Sequence, residues 1–292
     1  MHLDYNDPVE WLAHRYKCDE DARNKHIEKQ FVQYFSDRKE LNLLDAGAGT
    51  GNNFRYYFER LNNQRQSWTL LEHDPDIINA CRTQLKRFAK NKGYKIEQGQ
   101  DSITVKSNTK QAHINFVEGK LDDIQQIVDM ESLDTVTANA LFDLVTYDQF
   151  DVFASKLACY QVCLLATLNY YETSFLPFSE ADARYIRYFH MHMTRPQSFG
   201  AAMGPNCSGE MIDLLAAHEM KTDHEASQWH LKRYDTTMQH YILHFFEHAI
   251  RDLNLSKTEI IDLKAWIDQK KEASQQHKLE IVVDHSDIFA YP

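Results

Sequence analysis

Leu43-Leu44-Asp45-Ala46-Gly47-Ala48-Gly49-Thr50-Gly51 decides how this chain is read. An apolar run that stops at an acid and opens into alternating glycines marks a buried strand turning into a helix. Backbone approaches a ligand closely only where side chains are absent, so Gly47, Gly49 and Gly51 have a steric reason to stand there. Such a turn lies at the carboxyl end of its strand, where open parallel sheets bind ligands. A dinucleotide turn would run G-x-G-x-x-G, but here Asn52 takes the place of the third glycine and the glycines run G-x-G-x-G. Asp45, directly ahead of the turn, would repel a pyrophosphate and attract an ammonium. The loop suits a cationic amino-acid ligand better than a diphosphate.

Working outward, residues 67–71 form a second short strand that ends at Glu72. An acid at that point can accept both hydroxyls of a ribose. His73-Asp74-Pro75 then opens a helix, with Asp74 as its N-cap. Strands are expected at 113–117, 135–137 and 160–168, with helices over 53–61, 75–90 and 121–130. Strands and helices alternating at this rhythm predict an α/β fold with a mostly parallel sheet covered on both faces. The polar stretch 91–111 reads as either a hairpin or a mobile insertion. Before the glycine turn, 7–38 is helical, with Asp7 as N-cap and Pro8 in the first turn. Beyond residue 205, helices are expected at 208–218, 236–253 and 256–276, the last opened by a Ser256-x-x-Glu259 capping pattern. Extended segments are expected at 222–231 and 278–290.

Composition narrows the function. Of 292 residues, 43% are hydrophobic and 12% aromatic, as in a globular protein. Lys and Arg total 32 against 43 Asp and Glu, a net charge of −11, which argues against a nucleic-acid partner. No run approaches the ~20 apolar residues that cross a bilayer, so no membrane partner is expected. The charged N-terminus does not resemble a signal peptide, and the five cysteines form no CxxC pair. Reduced thiols in a cytoplasmic protein are expected, with Cys159 and Cys163 as core residues beside the fifth strand.

At Asp45, the G-x-G-x-G turn and Glu72, the chain resembles the class I, Rossmann-like S-adenosylmethionine-dependent methyltransferases. The resemblance covers roughly residues 40–145. It implies a sheet of about seven strands with the last inserted antiparallel, S-adenosyl-L-methionine as cofactor, and methyl transfer to a small-molecule acceptor. Carried over, Gly47, Gly49 and Gly51 would line the methionine end with Asn52, Asp45 would hold that end, and Glu72, with His73 beside it, would hold the ribose. Lys120 and Leu121 occupy the adenine-contacting segment, where many members have an Asp directly after the glycine. Ala138 and Asn139 match the segment bordering the sulfonium. A narrower resemblance, to a bacterial group of unassigned substrate, adds 199–205 and the closing VVDHSDIFAYP. In that group's pattern a His precedes a Gln and an Asp-Lys pair ahead of Phe-Gly. Here His192 is kept, while Met193, Pro196 and Gln197 stand where those polar residues fall.

We therefore expect one domain: a helical extension (1–38), a cofactor-binding core (39–168), a substrate-facing insertion (169–205) and the remaining sheet and helices (206–292). Methyl transfer needs an aligned nucleophile and sometimes a base. His192 and Tyr170 are the candidates for that base. Arg15, Tyr171, His190 and Arg195 are candidates for holding substrate, and Arg23 is weighed beside Arg15 for a substrate carboxylate. His240, His244 and His248 recur at helical spacing without an HExxH partner, so they read as a fortuitous, partly exposed stripe and no metal is expected. Asp284 and Asp287 read as caps or solvated ends. Two rival functions are a cofactor-binding protein without catalysis and a nicotinamide-dependent oxidoreductase. Neither the acceptor nor an oligomeric state is written in any motif.

Overall fold

The computed structural model describes residues 4–197 and 200–292, so Phe199 of the 199–205 stretch lies outside the described residues. In chain order the elements are α1 (Pro8–Ala22), α2 (Lys25–Tyr34), β1 (Glu40–Ala46), α3 (Asn52–Arg60), β2 (Arg65–Glu72), α4 (Pro75–Lys92), β3 (Lys95–Gln98), β4 (Ser102–Lys106), β5 (Gln111–Glu118), α5 (Ile124–Ile127) and β6 (Thr135–Asn139). They continue with α6 (Tyr147–Tyr160), β7 (Cys163–Leu176), α7 (Glu180–Met193), β8 (Pro196–Gln197), β9 (Gly200–Ala201), α8 (Cys207–Ala217), β10 (Lys221–Leu231), α9 (Thr236–Arg251), α10 (Lys257–Gln275) and β11 (Glu280–Tyr291).

Among the described residues the main sheet has nine strands in the order β10-β11-β7-β6-β1-β2-β5-β4-β3. β5, β2, β1, β6 and β7 are mutually parallel. β11 lies antiparallel between β7 and β10. The fold is thus α/β and Rossmann-like, with the last strand inserted antiparallel as expected. The strand count is higher because 91–111 supplies a hairpin, β3–β4, added antiparallel to β5.

Alternation along each strand builds the two faces. Leu41, Leu43, Trp68 and Leu70 pack under Phe31, Phe54, Phe58 and Leu85 of α2, α3 and α4. Leu44, Ala46, Leu71 and Val136 face the other way, onto Phe150, Leu157 and Leu214 of α6 and α8. A third cluster joins α1, α7, α9 and α10 to the far ends of β7, β10 and β11, and it forms a cap above the sheet. Asp7 accepts from Val9 N, Asp74 from Asp76 N, and Ser256 closes a capping box with Glu259. No helix among the described residues is long and apolar enough to cross a membrane.

Several boundaries differ from expectation. The fifth strand begins at Cys163, because Gln161 turns left-handed (φ 55°) to end α6, and it runs on to Leu176, taking the start of the expected insertion into the sheet. The helix expected over 121–130 shrinks to one helical turn and flanking 3-10 turns, since Asp129 caps a new turn by accepting from Glu131 N. Cys159 is exposed on α6, while Cys163 is buried. Asp287 is 1% exposed rather than solvated. The β7–β11 register shifts between Ser286 and Ile288, and Asp287 Oδ1 supplies the acceptor for Leu168 N (2.8 Å) at that irregularity.

Candidate functional site

Asp45 is the penultimate residue of β1 and is 1% exposed. Its Oδ1 accepts from Asn53 Nδ2 (2.7 Å), in the first turn of α3, and from Thr137 Oγ1 (2.8 Å) on β6. Its Oδ2 is buried and has no partner among the described residues. Burial pushes the carboxyl up to about 6, against the pull of those hydrogen bonds. Glu72 ties the turn to the next helix: Oε2 accepts from Gly49 N (3.0 Å), and Oε1 accepts from His73 N (2.8 Å) and Asp74 N (3.2 Å).

The glycines divide their work. Gly47 (φ 64°) and Gly49 (φ 53°) lie beneath Leu141 and Leu12, which an added Cβ would approach to 3.1 and 3.3 Å. Gly51 departs from its expected place at the ligand. Its Cβ would meet Cys81 Sγ at 3.0 Å and Leu85 at 3.1 Å, so its absence lets the turn pack on α4.

Three neighbouring spaces open at this edge of the sheet. A narrow one of about 30 Å³ lies among Leu12, Arg15, Asp45, Gly49, Asn52 and Asn139. A second, about 390 Å³, is bordered by Gly47, Glu72, His73, Lys120, Leu121 and Leu141. The third, about 980 Å³, runs under the cap between α1, α7, α9 and the β7–β10–β11 ribbon. Gly47 borders the first two, His73 the last two, and Arg15 the first and third. Two non-glycine residues on the wall of the large space have left-handed backbone, Ala140 (φ 52°) and Leu168 (φ 55°). Strain of this kind gathers at functional sites.

Arg15 spans that junction. Asp19 binds its Nε (3.0 Å), and its guanidinium carbon lies 5.4 and 5.0 Å from the ring centroids of Trp11 and Trp229. Its terminal nitrogens make no hydrogen bond among the described residues, leaving the fork's edge open. Arg23, by contrast, is spent internally, donating to Asn53 Oδ1 (2.6 Å) and Thr167 Oγ1 (3.1 Å). That use excludes it as a substrate clamp.

Both proposed bases border the large space. Tyr170 OH bonds Thr173 Oγ1 (3.1 Å) and His190 Nε2 (3.0 Å), and burial pushes its hydroxyl well above the usual tyrosine range. His192 Nε2 lies 3.6 Å from Asp252 Oδ2, beyond hydrogen-bond distance, and burial with nearby Arg195 disfavours its charged form. The structure does not bring Tyr171, His190 or Arg195 to that wall. Strand alternation turns Tyr171 outward, at 60% exposure. His190 backs Tyr170 from the next helical position, and Arg195 pairs with Asp252 at 3.1 Å. Ala138 is buried in β6 between its neighbours, while Asn139 reaches Asp19 Oδ2 (3.1 Å).

Several wall residues escaped sequence reading. His244 and His248, on the partly exposed stripe, border the large space with rings 6.2 Å apart, while His240 lies near Lys271. His285 and Trp229 face it from β11 and β10, their rings 5.1 Å apart. Burial, then the charge of Arg15, lowers His285 to about 3, so its imidazole is neutral. The inward register of Ile281, Val283 and His285 was the available signal. Asp143 carried none.

No family model matches the chain, and no curated protein does. Among solved structures, the YcgJ protein of Bacillus subtilis superposes with a TM-score of 0.50 over 92% of this chain and 99% of its own, at 11% identity. YjhP of Escherichia coli gives 0.45 at 9% identity, covering 97% and 98% of the two chains. Phosphoethanolamine N-methyltransferase 2 of Haemonchus contortus, solved with phosphomonomethylethanolamine and S-adenosylhomocysteine, gives 0.45 at 11% identity over 99% of this chain and 60% of that one. At such identities the likeness is one of fold.

Proposed function

We propose that this chain is a cytoplasmic enzyme that transfers the methyl group of S-adenosyl-L-methionine to a small molecule. The observation that carries the proposal is the unpaired, buried Asp45 Oδ2 beside Gly47 and Gly49. A carboxylate left open in a narrow polar space suits an ammonium. The neighbouring residues fit the rest of the same cofactor. Glu72 Oε2 receives one backbone N–H and has room for a ribose hydroxyl, and Lys120, Leu121 and Leu141 border a space suited to the base.

When bound, the cofactor supplies a methyl carbon already activated by a sulfonium. The chain's own work is then alignment. Asp45 neutralises the ammonium, the Asn53 and Thr137 donors fix its carboxylate, and the ring-lined space excludes water around the acceptor. Five cysteines without a disulfide among the described residues accord with a reducing compartment.

Calorimetric titration with S-adenosylhomocysteine and, in parallel, with NADH tests the proposal. Binding of the first and not the second is expected. The reverse would favour the oxidoreductase, and indifference to both would end the proposal. Labelled S-adenosylmethionine with a size-fractionated metabolite extract separates an enzyme, which yields labelled product, from a mere binder.

A further inference from the structure

Buried carboxylates in this protein are mostly saturated. Asp182 accepts from Trp266 Nε1, Lys270 Nζ and Ser179 N, each at 2.8 Å. Asp287 accepts from Leu168 N, Asn24 N and Ser227 Oγ at 2.7–2.8 Å. Asp19 is taken by Arg15 and Asn139. Among the described residues the carboxylates that leave a buried oxygen unpaired are Asp45 and Asp143. Asp45 belongs to the cofactor space. Asp143, 8% exposed, borders the 980 Å³ space and keeps its buried Oδ1 unpaired.

Its position is favourable. Asp143 sits in the 3-10 turn Phe142–Leu144, directly after the Asn139-Ala140 corner that divides the cofactor space from the large one. The charged or titratable groups acting on it are Arg15 from α1, Tyr170 from β7 and Cys207 from α8. None is hydrogen-bonded to it. Much of the remaining wall is aromatic, with Trp11, Trp229, Phe189, Phe245 and Phe246 prominent. A lone acceptor oxygen in a ring-lined space calls for a hydrogen-bond donor on a flat, apolar body.

We propose that Asp143 receives the proton of an O–H or N–H nucleophile carried by a flat, largely apolar acceptor, and that the large space selects this class. The step rests on the methyl-transfer proposal above. The nucleophile's lone pair forms the bond to the methyl carbon while the carbon–sulfur bond breaks with its electrons passing to sulfur, and the nucleophile's proton goes to Asp143. His285 faces the same space but is a poor proton acceptor there, and His192 is the rival base.

The probe is 2-naphthol, whose hydroxyl becomes strongly acidic on excitation and passes its proton to a hydrogen-bonded base, shifting its emission to the naphtholate band. The wild-type protein is expected to bind 2-naphthol, to show naphtholate emission from the bound probe, and to bind the anion 2-naphthoate at least tenfold more weakly. Asp143→Asn should abolish the naphtholate emission, and His192→Gln should retain it. Retention in Asp143→Asn, or its loss in His192→Gln alone, overturns the proposal. Should Asp143→Asn fail to fold, the wild-type preference decides: 2-naphthoate bound as well as 2-naphthol would overturn it. S-adenosylhomocysteine is titrated into the same preparation. Its failure to bind removes the transfer step itself, whereas binding alongside a failed naphthol result overturns only the role of Asp143.

Discussion

Asn53 donates its side-chain N–H to Asp45 Oδ1 across 2.7 Å, so the helix that follows the glycine turn dictates which carboxylate oxygen is left over. Arg23 donates to Asn53 Oδ1 in turn, and the orientation of the amide is thereby set. The opening at Asp45 Oδ2 is a consequence of packing begun at Arg23, the residue that ends α1.

That opening can be weighed directly. Asp45→Ala and Glu72→Ala are each expected to weaken S-adenosylmethionine affinity at least tenfold, about 1.4 kcal/mol. Calorimetry on the folded variants is the check, and unchanged affinity in both would undo the site.

Acid should release the cofactor. Asp45 titrates near 6 when the space is empty, and an ammonium partner needs it ionised. Affinity for S-adenosylhomocysteine is expected to fall as pH drops below about 6. In Asp45→Asn the slope should disappear, and persistence of the slope would point to another group.

Asp143 makes a prediction about stability. Burial holds its carboxyl above the ordinary value, at about 6, so its contribution to stability is fully present below the usual carboxylate range and lost as pH rises through about 6. Asp143→Asn removes the buried charge. It should stabilise the ligand-free protein at pH 8 by at most ~3 kcal/mol, read as a higher melting temperature, and the gain should vanish by pH 4. A variant equally stabilised at both pH values would contradict this.

Arg15 on α1 and Arg23 just past its end should separate cleanly. Arg23→Ala strips donors from Asn53 and Thr167 inside the fold and should cost roughly 2–4 kcal/mol in urea unfolding. Arg15→Ala should cost less stability but weaken ligand affinity, because its fork faces the junction of two spaces. Equal effects on both quantities would deny the distinction.

Asp182 supplies a control far from ligand. Asp182→Ala strands the buried Lys270 ammonium and should cost ~3–5 kcal/mol while leaving cofactor affinity untouched in the folded fraction. Altered affinity would mean that the cap and the cofactor spaces are coupled.

Much of the fold was legible because its signals are local. Asp45, the glycine spacing, Glu72, the Asp74 cap and the Ser256 box each declare themselves within a few residues. The wall of the large space was not. Asp143 lies in an apolar stretch and acquires meaning only when α1 and β7 close around it. His285 and Trp229 come from strands late in the chain, placed by a sheet order that local pattern does not state. Tyr171 follows Tyr170 in sequence yet turns outward, because neighbours along a strand take opposite faces.

β11 reaches the translation machinery's exit after both strands it must separate. Until residues 280–291 emerge, β7 and β10 each hold an edge open for a neighbour that does not yet exist. The nascent chain therefore carries unsealed, adhesive borders up to that moment, and with them an interval in which a chaperone has the most to protect.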